Sequence, residues 1–526
     1  MVVRPRVLVV VVVLVVAAAA AGAAVLAWPR PTLAPSGNAL ASVSLPGFAG
    51  RVESVRVTGT DGKPVPVVLR RGAVWPRSSL GQGLRLRVTV EVSRPGWIGW
   101  LVGRSVTRTL SLATPRARLG ATLISPRSGA PVVLRYTEPV ARVRVGSGRL
   151  RRLPHPSGAV PLGPRASGAT SAGTALVAAA PRSWELLGPP VRVSWFVRGT
   201  KPLAQLAAAP AAGSRLPPSS ELTLSFSRPV SQALGSRLPR VTPETPGRWT
   251  QVDSHTLAFR PGKLGYPLGA TLHVTLPRPA FVAGRARRVL DWQVPEGSQL
   301  RLQQLLAELG YLPLRWHSSD PVSRTPAAEL AAAISPPAGA FAWRYPNIPD
   351  SLRALWQPGR PNEVVRGAVM MFEDEHGLAA DGIAGPDVWR ALLRDELAGK
   401  RHTTGYSYVY VHRNLPQSLN LWYAGRVILT SPGNTGVPQA PTPLGTWPVF
   451  EHIPVGTMSG TNPDGSHYND PGIKWISYFH GGDALHAFPR ASYGTPQSLG
   501  CVELPESAAG EVWPYTPIGT LVTIEP

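Results

Sequence analysis

The chain's one cysteine, Cys501, stands in the run Gln497-Ser498-Leu499-Gly500-Cys501-Val502-Glu503-Leu504, fifteen residues after His486. A thiol with an imidazole upstream is the makings of a nucleophile presented with its base. A free thiol has a pKa of about 8.5, so little thiolate exists near neutrality. A nearby imidazole takes the proton or stabilises the anion, giving a sulfur able to attack an acyl carbon. The turn from Ser498 to Gly500 is expected to aim backbone N–H groups where an oxyanion develops. Gly500 suits a backbone that passes close to a ligand or takes a positive φ, and Ser498 ties the turn or contacts substrate. The plainer alternative is a buried thiol acting as a small hydrophobe. His480, 21 residues before Cys501, is the rival base, and His486 is preferred for its spacing.

The elements that position these residues read as strands at 407–412, 418–423, 426–430, 475–480 and 519–524. Thr442 to Val449 reads as a turn entering a strand. Polar, Gly-rich residues 456–472 read as a long loop, on which Tyr468, His467 and Asp470 are candidates to line a channel. The expected fold of residues 404–526 is a mainly-β sandwich or partly closed barrel.

Upstream, Leu300, Leu302, Leu305, Leu306 and Leu309 form a helical stripe that ends at Gly310, with Pro313 beyond. A second helix is expected over about 363–376, and a third begins at Pro386. Residues 315–362, with Trp343 and Trp356, interrupt this three-helix module, which covers 298–396. His376 and Asp381 are two candidate ligands without a third, so no metal site is expected. From 41 to 297 the pattern alternates, as in Leu84-Arg85-Leu86-Arg87-Val88-Thr89-Val90, which is the signature of half-buried strands. One or two β-sandwich modules over 41–202 (boundary near 115) and another over 203–297 are expected. His155 and His255 stand alone and read as surface residues.

The N-terminus carries Arg4 and Arg6 and then residues 7–28, which hold no charge. That length matches a bilayer core of about 30 Å, so residues 1–28 are expected to form a transmembrane helix, with 29–40 a linker. The positive flank stays inside, which places the rest outside in a type II orientation. The small residues of 17–24 also suit a cleaved signal peptide, but the uncleaved anchor is preferred for its length. Both readings export the chain. A lone thiol there has no disulfide partner and is a liability unless its chemistry is used.

The net charge of +24 is uneven: residues 1–300 carry 39 Lys and Arg against 10 Asp and Glu. The basic half suits an anionic wall polymer or anionic lipid. Nucleic acid is not expected as a partner, because the chain is exported and no nucleic-acid module is seen.

Three resemblances follow from these residues. Ser128 to Val140 and Ser219 to Val230 resemble the strands of bacterial immunoglobulin-like modules. Leu309 to Leu312, Phe372 and the Asp-Gly-Ile-x-Gly-Pro-x-x-Trp run at 381–389 resemble the three-helix peptidoglycan-binding domain of wall enzymes. His486, Tyr493-Gly494, Ser498, Gly500 and Cys501, with Thr442 to Gly445 and the strand 519–524, resemble the catalytic domain of L,D-transpeptidases. That resemblance implies a cysteine acyltransferase acting on peptidoglycan stem peptides and glycan, with no metal or organic cofactor. Cys501 is then the nucleophile and His486 the base, oriented by a backbone carbonyl near Ala487. Tyr493, Gly494, Leu499, Glu503, His480 and Tyr468 become substrate-binding candidates. Two positions depart from the family: Leu499 stands where histidine is frequent, and Glu503 where Asn or Arg is frequent. An L,D-carboxypeptidase with the same dyad and a non-catalytic wall-binding structural protein are the alternatives. The place of action is expected to be outside the cytoplasm, at the membrane or in the wall.

Overall fold

The structure is a computed structural model and describes residues 5–47, 49–165, 172–199 and 202–526. It is mainly β and falls into two compact units. The first takes residues 1–209, 224–229 and 280–287, and the second takes 210–223, 230–279 and 288–526.

The transmembrane helix expected at the N-terminus needs correction. A helix, α1 (Pro5–Ala27), does open the chain. Among the described residues, however, no helix is long and apolar enough to cross a membrane. The membrane is therefore not supported as a partner through this helix.

In the first unit, alternation decides which side of each strand is buried. Along Arg85–Ser93, residues Leu86, Val88, Val90 and Val92 are buried and the arginines between them are exposed. This strand lies between Arg51–Gly59 and Ser105–Ala113. A second sheet shares its core and has at one edge the hairpin of β1 (Val67–Arg70) and β2 (Ala73–Pro76). A third sheet surrounds a separate core containing Leu134, Val143, Val160, Val177 and Val193.

In the second unit, helices α2 (Gln299–Leu309), α3 (Glu363–Glu375) and α4 (Pro386–Ala398) pack around Leu305, Leu306, Phe372 and Leu392. Residues 315–362 are folded and dock this layer onto the C-terminal domain. The Trp422 indole N–H donates to the Asn347 carbonyl (2.9 Å), and the Tyr408 hydroxyl donates to Ser351 Oγ (2.9 Å). Tyr408, Trp422 and Leu521 belong to the same core as the helices. Helix α3 meets the C-terminal domain backbone to backbone: a Cβ added at Gly367 or at Gly519 would strike the other's carbonyl oxygen. Gly367→Ala is therefore expected to destabilise this unit by about 1–3 kcal/mol, the range for overpacking. Urea unfolding would read this as a lowered midpoint, and an unchanged midpoint would contradict so close an approach.

The C-terminal domain is a two-sheet sandwich. One sheet orders its strands β5 (Arg426–Pro432), β4 (Ser418–Tyr423), β3 (Ser407–His412), β11 (Leu521–Glu525) and β6 (Gly445–Pro448). The other orders β7 (Glu451–Thr461), β8 (His467–His480), β9 (Asp483–Ala487) and β10 (Val502–Leu504). Between them lie Val409, Val411, Leu421, Leu485, Val502, Leu504, Val522 and Ile524, with α5 (Glu506–Val512) closing one side. The first sheet is buried on both faces. Val409 and Val411 face the sandwich, while Tyr408 joins the helical core on the other side. Residues 456–472 are not a long loop, since β7 and β8 pair from Glu451 to Thr461 and form a hairpin. Its glycines and polar residues read as loop because most of its positions are exposed and carry little apolar alternation.

Candidate active site

Strands β9 and β10 run parallel, with Leu485 opposite Val502, His486 opposite Glu503 and Ala487 opposite Leu504. Leu485, Ala487, Val502 and Leu504 are committed to the sandwich core. Because side chains alternate along a strand, His486 and Glu503 must emerge on the other face, and Cys501, two residues before Glu503, emerges with them. Core burial thus brings the thiol and the imidazole to one surface. There they line a cavity of about 420 Å³ together with Tyr468, Asp470, Asp483, Phe488, Arg490, Ser498, Leu499 and Glu503.

His486 is 3% exposed, and its Nδ1 donates to the Ala487 carbonyl at 3.0 Å. A carbonyl only accepts, so Nδ1 carries the proton and Nε2 is left as the basic nitrogen. Burial pushes the imidazole pKa down, a shift that the Ala487 carbonyl and the Glu503 carboxylate partly oppose. Burial also pushes the Cys501 thiol up to about 12, with the carboxylates of Asp483 and Glu503 adding to the rise and the Ala484 amide opposing it. Both shifts favour neutral partners, so the resting dyad is thiol and imidazole rather than thiolate and imidazolium.

The turn before the cysteine is held from several sides. Ser498 Oγ donates to the Cys501 carbonyl (2.6 Å) and accepts from the Gly500 N–H (3.3 Å). Gly500 has φ +121°, and a Cβ there would strike the Asp483 carboxylate. Only glycine lets that acid lie against the turn. The Gly500 N–H, expected to face a developing oxyanion, is turned to Ser498 instead.

His480 lies outside the cavity lining. Its Nδ1 is 3.0 Å from Asp483 Oδ2, and its ring centre lies 4.6 Å from that of Trp447. It acts on the site through Asp483, which lies between the two histidines in sequence. Tyr468, Leu499 and Glu503 line the cavity, whereas Tyr493 and Gly494 are not among its lining residues. The Tyr493 hydroxyl donates to the Phe488 carbonyl (2.6 Å), and the Gly494 N–H donates to Asn434 Oδ1 (2.9 Å). His467 is exposed beside Thr461, while Asp470 reaches the cavity from the hairpin.

Arg490 and Asp483 are the charged lining residues that the sequence did not single out. Arg490 grips Glu503 with two parallel bonds, Nε to Oε2 at 2.8 Å and a terminal nitrogen to Oε1 at 2.7 Å. A further bond reaches the Gln497 carbonyl (3.2 Å), and the guanidinium lies 4.6 Å above the Phe488 ring. This fork closes the loop between β9 and β10, fixing the segment that joins the histidine to the cysteine. It also accounts for Glu503 at a position where the resemblance leads one to expect Asn or Arg: the guanidinium comes from Arg490 instead. A double-mutant cycle of Arg490→Ala and Glu503→Ala is expected to give a coupling of about 1–3 kcal/mol in unfolding free energy. Simple additivity would show that the two side chains act separately.

Residues 407–524 match the family profile of the L,D-transpeptidase catalytic domain, YkuD. This part of the chain is a YkuD L,D-transpeptidase domain. Among solved structures, the chain is similar to the catalytic domain of an E. faecium L,D-transpeptidase acylated by ertapenem. That alignment is 26% identical, covers 24% of this chain and 99% of that one, and has a TM-score of 0.21. It is also similar to an L,D-transpeptidase from Mycobacterium smegmatis, at 13% identity over 61% of this chain and 99% of that one, with a TM-score of 0.21. An L,D-transpeptidase from Mycobacterium tuberculosis H37Rv aligns at 11% identity over 62% of this chain and 98% of that one, also with a TM-score of 0.21. The comparison with curated proteins finds no match. The profile match is confined to the YkuD domain and does not reach the upstream modules.

Proposed function

We propose that the protein is an L,D-transpeptidase that cross-links peptidoglycan stem peptides outside the cytoplasm through a thioester on Cys501. The observation that carries this reading is the placement of Cys501 and His486 on one face of two parallel strands, in one cavity, with the basic nitrogen of His486 left unprotonated. In the proposed first half-reaction, the Cys501 sulfur attacks the carbonyl carbon of the bond joining an L-centre to D-alanine. The thiol proton passes to His486 Nε2. The carbon–nitrogen bond then breaks, His486 returns the proton to the leaving amine, and D-alanine departs. In the second half-reaction, an amine of a neighbouring stem attacks the thioester and gives a proton to His486. The sulfur leaves and recovers that proton as the new amide forms.

The test incubates the protein with a disaccharide-tetrapeptide and follows both intact mass and products. An acyl adduct on Cys501 with a cross-linked dimer is the expected result. Tripeptide without dimer would assign the domain to the carboxypeptidase alternative. A protein that neither forms an adduct nor turns over, with a carbapenem also failing to acylate it, would overturn the enzymatic reading.

A further inference from the structure

The β1/β2 hairpin of the first unit presents a face that the YkuD chemistry does not use. Val68 lies opposite Trp75 and Arg70 opposite Ala73, and the strands are joined by Arg71 and Gly72. Alternation sends Val74, which is fully buried, with Val67 and Leu69, towards the core. The same alternation sends Arg70, Trp75 and Arg77 to the other face, where with Arg71 they line an open depression of about 980 Å³. The indole thus sits between Arg77 and Arg70, the latter paired with Ala73, and the Ala73 and Arg77 positions lie about 13 Å apart along the strand at roughly 3.3 Å per residue. Among the described residues, none of Arg70, Arg71 and Arg77 has a carboxylate partner in an ion pair. Arg77 is braced by donating its Nε–H to the Val67 carbonyl at 3.2 Å. β1 is the edge strand of its sheet, so the depression opens sideways as well as outwards.

We propose that this face is a binding site for an acidic glycan, a saccharide chain carrying carboxylate or phosphate groups. Guanidinium forks recognise such anions with paired N–H donors. An aromatic face flanked by them offers the apolar side of a sugar ring a flat, rigid contact, which a bare polyphosphate does not exploit. The indole lying among the arginines is what favours a glycan over the other polyanions that a basic surface attracts.

The experiment uses the full chain and four probes: polygalacturonate, neutral dextran, polyphosphate, and vesicles of phosphatidylglycerol. Polygalacturonate is expected to bind most tightly, with affinity falling as salt rises. Arg70→Ala with Arg77→Ala should weaken that binding by about tenfold or more, a size set by about 1 kcal/mol for each arginine at an anionic surface. Trp75→Ala should weaken polygalacturonate binding several-fold and leave polyphosphate binding unchanged, and Trp75→Phe should restore part of the loss. The proposal would be overturned if Arg127→Ala with Arg149→Ala, elsewhere in the unit, cost as much. Equal effects of Trp75→Ala on both polyanions, or tighter binding to the vesicles, would overturn it too. Circular dichroism on every variant separates loss of the site from loss of the fold.

Discussion

Cys501→Ala is expected to abolish both the acyl adduct and the cross-linked product, a fall of roughly 10⁴-fold or more in turnover. No other side chain lining the cavity replaces a thiol as an acyl acceptor. Asp470, Asp483 and Glu503 are carboxylates, Ser498 has its hydroxyl committed to the Cys501 carbonyl, and Tyr468 is a phenol whose pKa is raised by burial and by the surrounding negative charge. The variant should fold normally, because Cys501 is only half-buried at the edge of a small cluster with Ile476 and Ala484. A carbapenem gives an independent readout, since its strained acyl group needs only the nucleophile. Wild type should gain the mass of the drug and the variant should not. An adduct on Cys501→Ala would place the nucleophile elsewhere.

His486→Ala should lower turnover by about 10²–10⁴-fold, the usual contribution of a positioned general base. His480→Ala should keep most of the activity, because its link to the thiol runs through Asp483. The state of the resting dyad gives this prediction a pH signature. The thiol is pushed up to about 12 and the imidazole is pushed down. The thiolate fraction therefore rises with pH without levelling off until the thiol pKa is approached. Alkylation by iodoacetamide should climb about tenfold per pH unit from pH 7 to 10. A plateau already reached near pH 6 would mean a preformed thiolate–imidazolium pair. Asp483→Asn removes a negative charge beside the sulfur and should speed alkylation at a given pH. In the proposed mechanism His486 receives the proton during attack, so its loss should slow acylation by substrate far more than alkylation at high pH.

The shared placement of Cys501 and His486 was legible because its strand logic is local. Val502 and Leu504 alternate with Cys501 and Glu503, so committing the former to the core turns the latter to the cavity face. The carbonyl that orients His486 belongs to the next residue, and it too needed no long-range information. The Arg490–Glu503 fork was not legible, because it depends on how the loop between β9 and β10 returns, and nothing in the spacing of a lone arginine and glutamate specifies that. Asp483 was overlooked for a similar reason: its importance comes from the space left by the missing side chain of Gly500. The hairpin of β7 and β8 was read as loop, although it contributes Tyr468 and Asp470 to the cavity. At the N-terminus, length and apolarity in the sequence suggested a membrane span that the described helix does not provide.

The glycine-to-glycine contact between α3 and the turn before β11 has a mechanical meaning. A binding module on a flexible tether raises the local concentration of its target but leaves direction to chance. Here the helices share a core with Tyr408, Trp422 and Leu521, so they cannot swivel about the sandwich. A ligand bound by these helices would be held at one bearing and one distance from the Cys501 cleft. The spacing between that ligand and the cleft would then be set by the protein body, as a jig sets the place of a weld.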